Sequence, residues 1–210
     1  MYNLKSYTLV TPPASEPVAL PDVKTFLRID GTEDDAILTS LIASARRMGE
    51  EYTKRSFITQ TWQLVMDRFL QRVISVPPGF HVGPTPSSVD GSSEINLSRL
   101  PVQQITSIKT TDSANVQTTV TPATYTLDPA GGRVLLNSGY SWPTELRGMA
   151  AVEVMFIAGW SSSATVPGPI KQAIMQHVAA SYTNKVCADL PDGVKALYDP
   201  FRLPEAFGVF

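Results

Sequence analysis

Two histidines and one cysteine are all the chain offers for metal or thiol chemistry. His81 lies in a stretch rich in Pro, Gly and Ser, and His177 in an apolar run, with no second His or Cys at ligand spacing. A metal centre needs three or four convergent donors, so none is expected. Cys187 has Lys185 nearby but no histidine in sequence reach to act as an activating base. Gly139-Tyr140-Ser141-Trp142 lacks the closing glycine of a nucleophile elbow. Gly131-Gly132 leads into a strand pattern, whereas phosphate loops lead into helix N-termini. Glu33, Asp34 and Asp35 are consecutive, so they fan around a helix start and do not converge on a cation. No catalytic residue, metal or cofactor is predicted.

The formal charge is -2 and the isoelectric point about 5.7. That balance argues against electrostatic binding of nucleic acid, which needs a basic face. Arg46, Arg47, Lys54 and Arg55 form a modest basic cluster. It reads as a solvated face, or as salt bridges with Glu50, Glu51 or a neighbouring subunit. A lone cysteine rules out an internal disulfide and suits a reducing compartment. The N-terminal MYNLKSYTLVTPP has no signal-peptide core, and no apolar run approaches the ~18 residues of a membrane span. A soluble, unprocessed chain is the expectation.

The element that must position everything else is the stretch 32–55. Ile37, Leu38, Leu41, Ile42, Ala45, Met48, Gly49 and Tyr52 recur at helical spacing along one stripe. Thr32 with Asp35 predicts a capping-box start, and Lys54 with Arg55 a cationic close. Before it, Tyr7–Val10 reads as a short strand. Pro21, Val23, Phe26 and Leu27 then suggest a short helix ended by Gly31. From Thr59 the period falls to two, and strands are predicted at 59–69, 94–97, 102–110, 124–127, 133–136 and 151–158. Residues 77–93 read as a long exposed loop. Helical spacing returns at Ile170, Ala173, Ile174, His177, Val178, Ser181 and Tyr182, with a further short helix at 192–198.

The expected fold class is α+β: a small helical core with an antiparallel β domain inserted between its two main antiparallel helices. The divisions are 1–57 for the arm and first helices, 58–160 for the β domain, 161–199 for the later helices, and 200–210 for an aromatic tail. Leu38, Leu41, Ile42, Ala45, Met48, Tyr52, Ile170, Ile174, His177, Val178 and Tyr182 are assigned to helical-core or subunit packing. Trp62, Trp142 and Trp160 lie in or beside strands, where core packing explains them. They also keep open the alternative of a β-rich carbohydrate- or receptor-binding module. An enzyme with a dispersed site ranks third.

Six stretches in chain order then carry a resemblance. They are LPDVKTFLRIDGTEDDAILTSLIASARRMGEEYTKRSFITQTW (20–62), SRLPVQQITSI (98–108), GYSWP (139–143), VEVMFIAGW (152–160), VPGPIKQAIMQHVAASY (166–182) and LPDGVKALYDPFR (190–202). Together they resemble tailed-bacteriophage head-to-tail connector (adaptor) proteins; the loop 77–93 departs from the pattern. The resemblance implies a non-enzymatic ring, usually dodecameric, in the virion neck. It would bind the portal protein, touch neighbouring copies, and present a platform to a downstream neck or tail-terminator protein. Packaged DNA would pass through its lumen without specific binding, and no membrane is involved. Tyr198, Phe201, Arg202, Phe207 and Phe210 are the residues expected to dock on the portal.

Overall fold

Strand β2 (Gln60–Met66) alternates buried and half-buried residues without interruption, as does β8 (Val152–Ala158). The two pair antiparallel, setting Trp62 opposite Phe156, Leu64 opposite Val154 and Met66 opposite Val152. In this computed structural model residues 5–69, 94–185 and 189–204 are described. The predicted loop 77–93 with His81, and also Cys187, Phe207 and Phe210, lie outside the described residues.

Around that central pair a five-stranded sheet forms in the order β1-β2-β8-β4-β5. Its other members are β1 (Lys5–Thr11), β4 (Val102–Thr111) and β5 (Gln117–Thr119). A second sheet joins β3 (Ile95–Asn96), β7 (Arg133–Leu136) and β6 (Tyr125–Asp128). Every pairing is antiparallel. The inner faces of the two sheets share one apolar cluster, including Leu64, Phe156, Ile95, Leu97 and Val134. Phe69 stacks on Trp142 in that cluster with ring centroids 4.3 Å apart.

The helices build a second cluster. Helix α1 spans Leu20–Leu27, α2 Asp35–Thr53, α3 Gly168–Asn184 and α4 Asp192–Tyr198. Leu38, Ile42 and Ala45 of α2 meet Ile170, Ala173, Ile174 and Val178 of α3, with Val23 and Val194 closing the sides. The stripes thus cover each other within one chain, which a lone amphipathic helix requires. The expected α+β class and the pairing of distant helices are both present.

Several local readings are corrected. The arm strand β1, though it precedes the helices, joins the sheet beside β2, so β structure is not confined to the segment between the main helices. Helix α1 ends at Arg28, whose φ of 58° is left-handed, and not at Gly31. The α2 start is capped by Asp34 without any side-chain hydrogen bond, so there is no capping box. Instead Asp34 accepts a hydrogen bond from the Tyr182 hydroxyl at 2.6 Å and Asp35 one from Lys24 Nζ at 2.7 Å, tying α2 to α3 and α1. Ile37, placed on the buried stripe by its spacing, is 54 % exposed. Strand β5 escaped notice because Gln-Thr-Thr is exposed throughout and has no apolar alternation.

Gly49 marks the closest approach in the helical cluster. A Cβ there would lie 2.5 Å from the Tyr198 hydroxyl and 2.7 Å from the Phe57 ring. Tyr198 and Phe57 are themselves stacked, with centroids 5.5 Å apart, so neither ring can retreat independently. Gly49→Ala should therefore destabilise the fold by about 1–3 kcal/mol despite alanine's better helix propensity. Urea unfolding followed by circular dichroism measures this, and unchanged stability would contradict the packing described.

Candidate functional site

The buried face of α2 is not wholly apolar. One and two turns beyond Ile42 it carries Arg46 and Glu50, both nearly excluded from solvent. Arg46 donates from Nε to Glu16 in the segment before α1 and from Nη1 to Glu50, each at 2.7 Å. Glu50 Oε1 accepts the Phe57 backbone N–H at 2.7 Å and the Gln60 side-chain amide at 2.6 Å. The carboxylate therefore joins the helical cluster to the first residue of β2.

Arg99, from the loop between β3 and β4, completes the joint. It donates to the Glu50 carbonyl at 3.3 Å and to the Glu51 carboxylate at 2.9 Å. Its guanidinium also lies 4.4 Å from the centroid of the Trp62 ring. Trp62 in turn donates from Nε1 to Ser56 Oγ at 3.0 Å. The sequence puts Arg46 in a basic cluster, solvated or salt-bridged, and Trp62 in core packing, and does not single out Arg99. Salt bridging of Arg46 to Glu50 was among the expected alternatives; the burial of Arg46 was not. The signal was present, since residues 38, 42, 46, 50 and 53 share one helical face.

The residues at the C-terminal end lie differently from expectation. Tyr198, assigned to docking, is 0 % exposed within the helical cluster and offers no surface to a partner. Burial and the Glu50 charge hold its phenol far above the usual range. Phe201 is half-buried, and its carbonyl accepts a hydrogen bond from Arg55 at 2.5 Å. Leu203 is buried in the sheet cluster, and its N–H donates to the Thr53 carbonyl at 3.0 Å. Residues 200–204 are thus part of the packed body, not of a free tail. Arg202 is exposed, its guanidinium 5.4 Å from the Tyr52 ring centroid.

Of the helical packing set, Leu38, Ile42, Ala45, Ile170, Ile174, His177 and Val178 are buried together. Leu41, Met48, Tyr52 and Tyr182 are half-buried. His177, assigned to that packing, is only 1 % exposed. Among the described residues no group of three or more His, Cys, Asp or Glu could hold a metal ion. Among them, too, no helix is long and apolar enough to cross a membrane.

Burial raises the Glu50 carboxyl above its ordinary value, and Arg46, the Phe57 N–H and Gln60 draw it only partly back. The two carboxylates flanking Arg46 outweigh its own burial and favour its charge. For Glu50 a folded-state pKa above the unfolded one contributes stability below pH 4.5, the ordinary value. That contribution is lost as pH rises through the raised folded value. Glu50→Gln, which keeps the shape without the charge, should therefore gain stability relative to the parent as pH rises from that value, read by urea unfolding across a pH series. Arg46→Ala leaves a buried carboxylate short of its cation and should cost about 3–5 kcal/mol at neutral pH.

The fold and this joint can now be set beside known proteins. No curated protein matches the sequence. Among solved structures, a chain from the neck of an empty gene transfer agent (GTA) particle, computed with C6 symmetry, matches with a TM-score of 0.72 and 22 % identity. That match covers 94 % of this chain and 95 % of the other. A chain from the virion of a native gene transfer agent particle gives 0.67 and 23 %, over 93 % of this chain and 94 % of that one. A chain from the neck of a native GTA particle, computed with C12 symmetry, gives 0.64 and 24 %, over the same shares. The model of one family, the phage gp6-like head-tail connector protein, matches residues 18–115, a span running from the segment before α1 to the turn after β4. Over these residues, which include α1, α2 and most of the joint, the chain is similar to the phage gp6-like head-tail connector protein family.

Proposed function

We propose that this chain is a structural virion protein of a tailed phage or phage-like particle. It forms a homo-oligomeric ring in the neck beneath the portal, extends the DNA channel and supplies the platform for the next neck or tail protein. The observation that carries this reading is the family match over residues 18–115. The fold likeness supports it, because it takes in nearly all of both chains, so the subunit is of the same size and plan as the neck chains it resembles.

The role asks for geometry and not for a reactive group. Catalysis needs a nucleophile, an acid or base, and stabilisers converging on one point. Here the buried ion pair of Arg46 and Glu50 is consumed in holding two layers together. The formal charge of -2 suits a lumen through which DNA slides, since cations that neutralise its phosphates would hold it back. The alternative of a carbohydrate-binding module loses its platform. Trp62 and Trp142 are buried, and Trp160 packs against Phe57 with centroids 6.4 Å apart.

Deletion of the gene from its own phage tests the function. Imaging should show DNA-filled heads that leak or lack tails, and complete infectious particles would refute it. The place of the tail is tested separately by truncation. Because Leu203 is buried and bonded to Thr53, removal of residues 200–210 should unfold the chain. Removal of 205–210 alone should abolish co-purification with the portal protein, with the melting temperature as the check on folding. Undiminished co-purification would remove Phe207 and Phe210 from the docking role.

A further inference from the structure

Ring formation requires a subunit to present two different, mutually complementary faces. The helical stripes do not supply them, since α2 and α3 have already buried their apolar residues against each other within one chain. We propose that the two ends of α2 are those faces. The acidic corner between α1 and α2 of one copy seats against the cationic C-terminal end of α2 in the next. This rests on the ring reading given above and names the contact that closes it.

At the corner the carboxylates outnumber the cations. Lys24 and Asp35 form a matched pair at 2.7 Å. That leaves Asp22, Asp30, Glu33 and Asp34 against Arg28 alone. At the adjoining end of α3, Lys185 and Asp189 cancel. Among the described residues, Asp30 and Glu33 have no ionic partner. The same corner exposes two large apolar side chains, Phe26 at 42 % and Ile37 at 54 %. It also contains a hollow of about 560 Å³ lined in part by Leu20, Ile29 and Asp30. A charged rim around exposed apolar surface is the anatomy of a protein interface.

The opposite end carries the reverse excess. Lys54, Arg55 and Arg202 gather where α2 meets the residues after α4. Glu51 is shared there by Arg99 at 2.9 Å and Lys54 at 3.8 Å, and Asp199 accepts from the Tyr52 hydroxyl, so with Arg99 four cations stand against two carboxylates. A helix of 19 residues rises about 28 Å, so the two patches cannot meet in one molecule. Opposite charge on opposite ends of one chain makes a second copy the partner that fits, through a heterologous, head-to-tail contact.

The test is charge reversal in the full-length chain, with assembly followed by sedimentation velocity. Asp30→Lys with Glu33→Lys, or Lys54→Glu with Arg202→Glu, should weaken association on the order of tenfold or more. Melting temperature serves as the check on folding, because all four side chains are exposed. Mixing the two reversed chains, or combining all four substitutions in one chain, should restore assembly. Assembly that ignores the reversals, or that the combined chain fails to recover, overturns this contact and leaves the ring reading standing. A wild-type chain that stays monomeric up to millimolar concentration overturns both. If the reversed chains still assemble among themselves but lose a different neck protein, the corner faces that protein and the proposal fails.

Discussion

The hydrogen-bonded pair of Arg46 and Glu50 is the constraint on which the remaining architecture depends. Two apolar clusters, one between sheets and one among helices, would each be content in several relative orientations, because hydrophobic burial has no direction. A desolvated carboxylate has direction. It must keep its donors, and those donors come from the helix itself, from the Phe57 backbone and from the first residue of β2. Such pairs are seldom the cheapest way to fill a core. Here the strand can begin in only one place relative to the helix.

The surrounding interactions follow from that anchoring. Arg99 grips both the carbonyl of Glu50 and the face of Trp62, so the loop before β4 is registered on the same joint. Leu203 reaches back to Thr53 and sinks into the sheet cluster, while Tyr198, five residues earlier, stacks on Phe57 beneath Gly49 on the helical side. The last described residues thereby fasten across the junction between the layers.

Much of the fold was legible because its signals are periodic. The stripe through Leu38, Ile42 and Ala45, its partner through Ile170, Ile174 and Val178, and the alternation of β2 and β8 each follow from side-chain geometry alone. What escaped has a common cause: it depends on partners distant in sequence. Arg46 and Glu50 look like surface charges until Gln60 and Glu16 are brought to them. Asp34 and Asp35 look like helix caps until Tyr182 and Lys24 arrive. Tyr198, at the end of the short helix predicted at 192–198, is assigned to docking because nothing nearby in sequence discloses the Phe57 ring that stacks on it. The family resemblance carried the functional reading where local motifs offered none.

The position of β1 sets an order on synthesis. The strand is made before its neighbour in the sheet, which begins only at Gln60, and β2 in turn waits for Val152 to cover its other side. Through most of translation the nascent chain therefore holds two unpaired strand edges beside helices whose own partner, α3, has not yet been made. Productive collapse must be late and nearly simultaneous, and crowding of incomplete chains on one message would favour exchange of β1 between them.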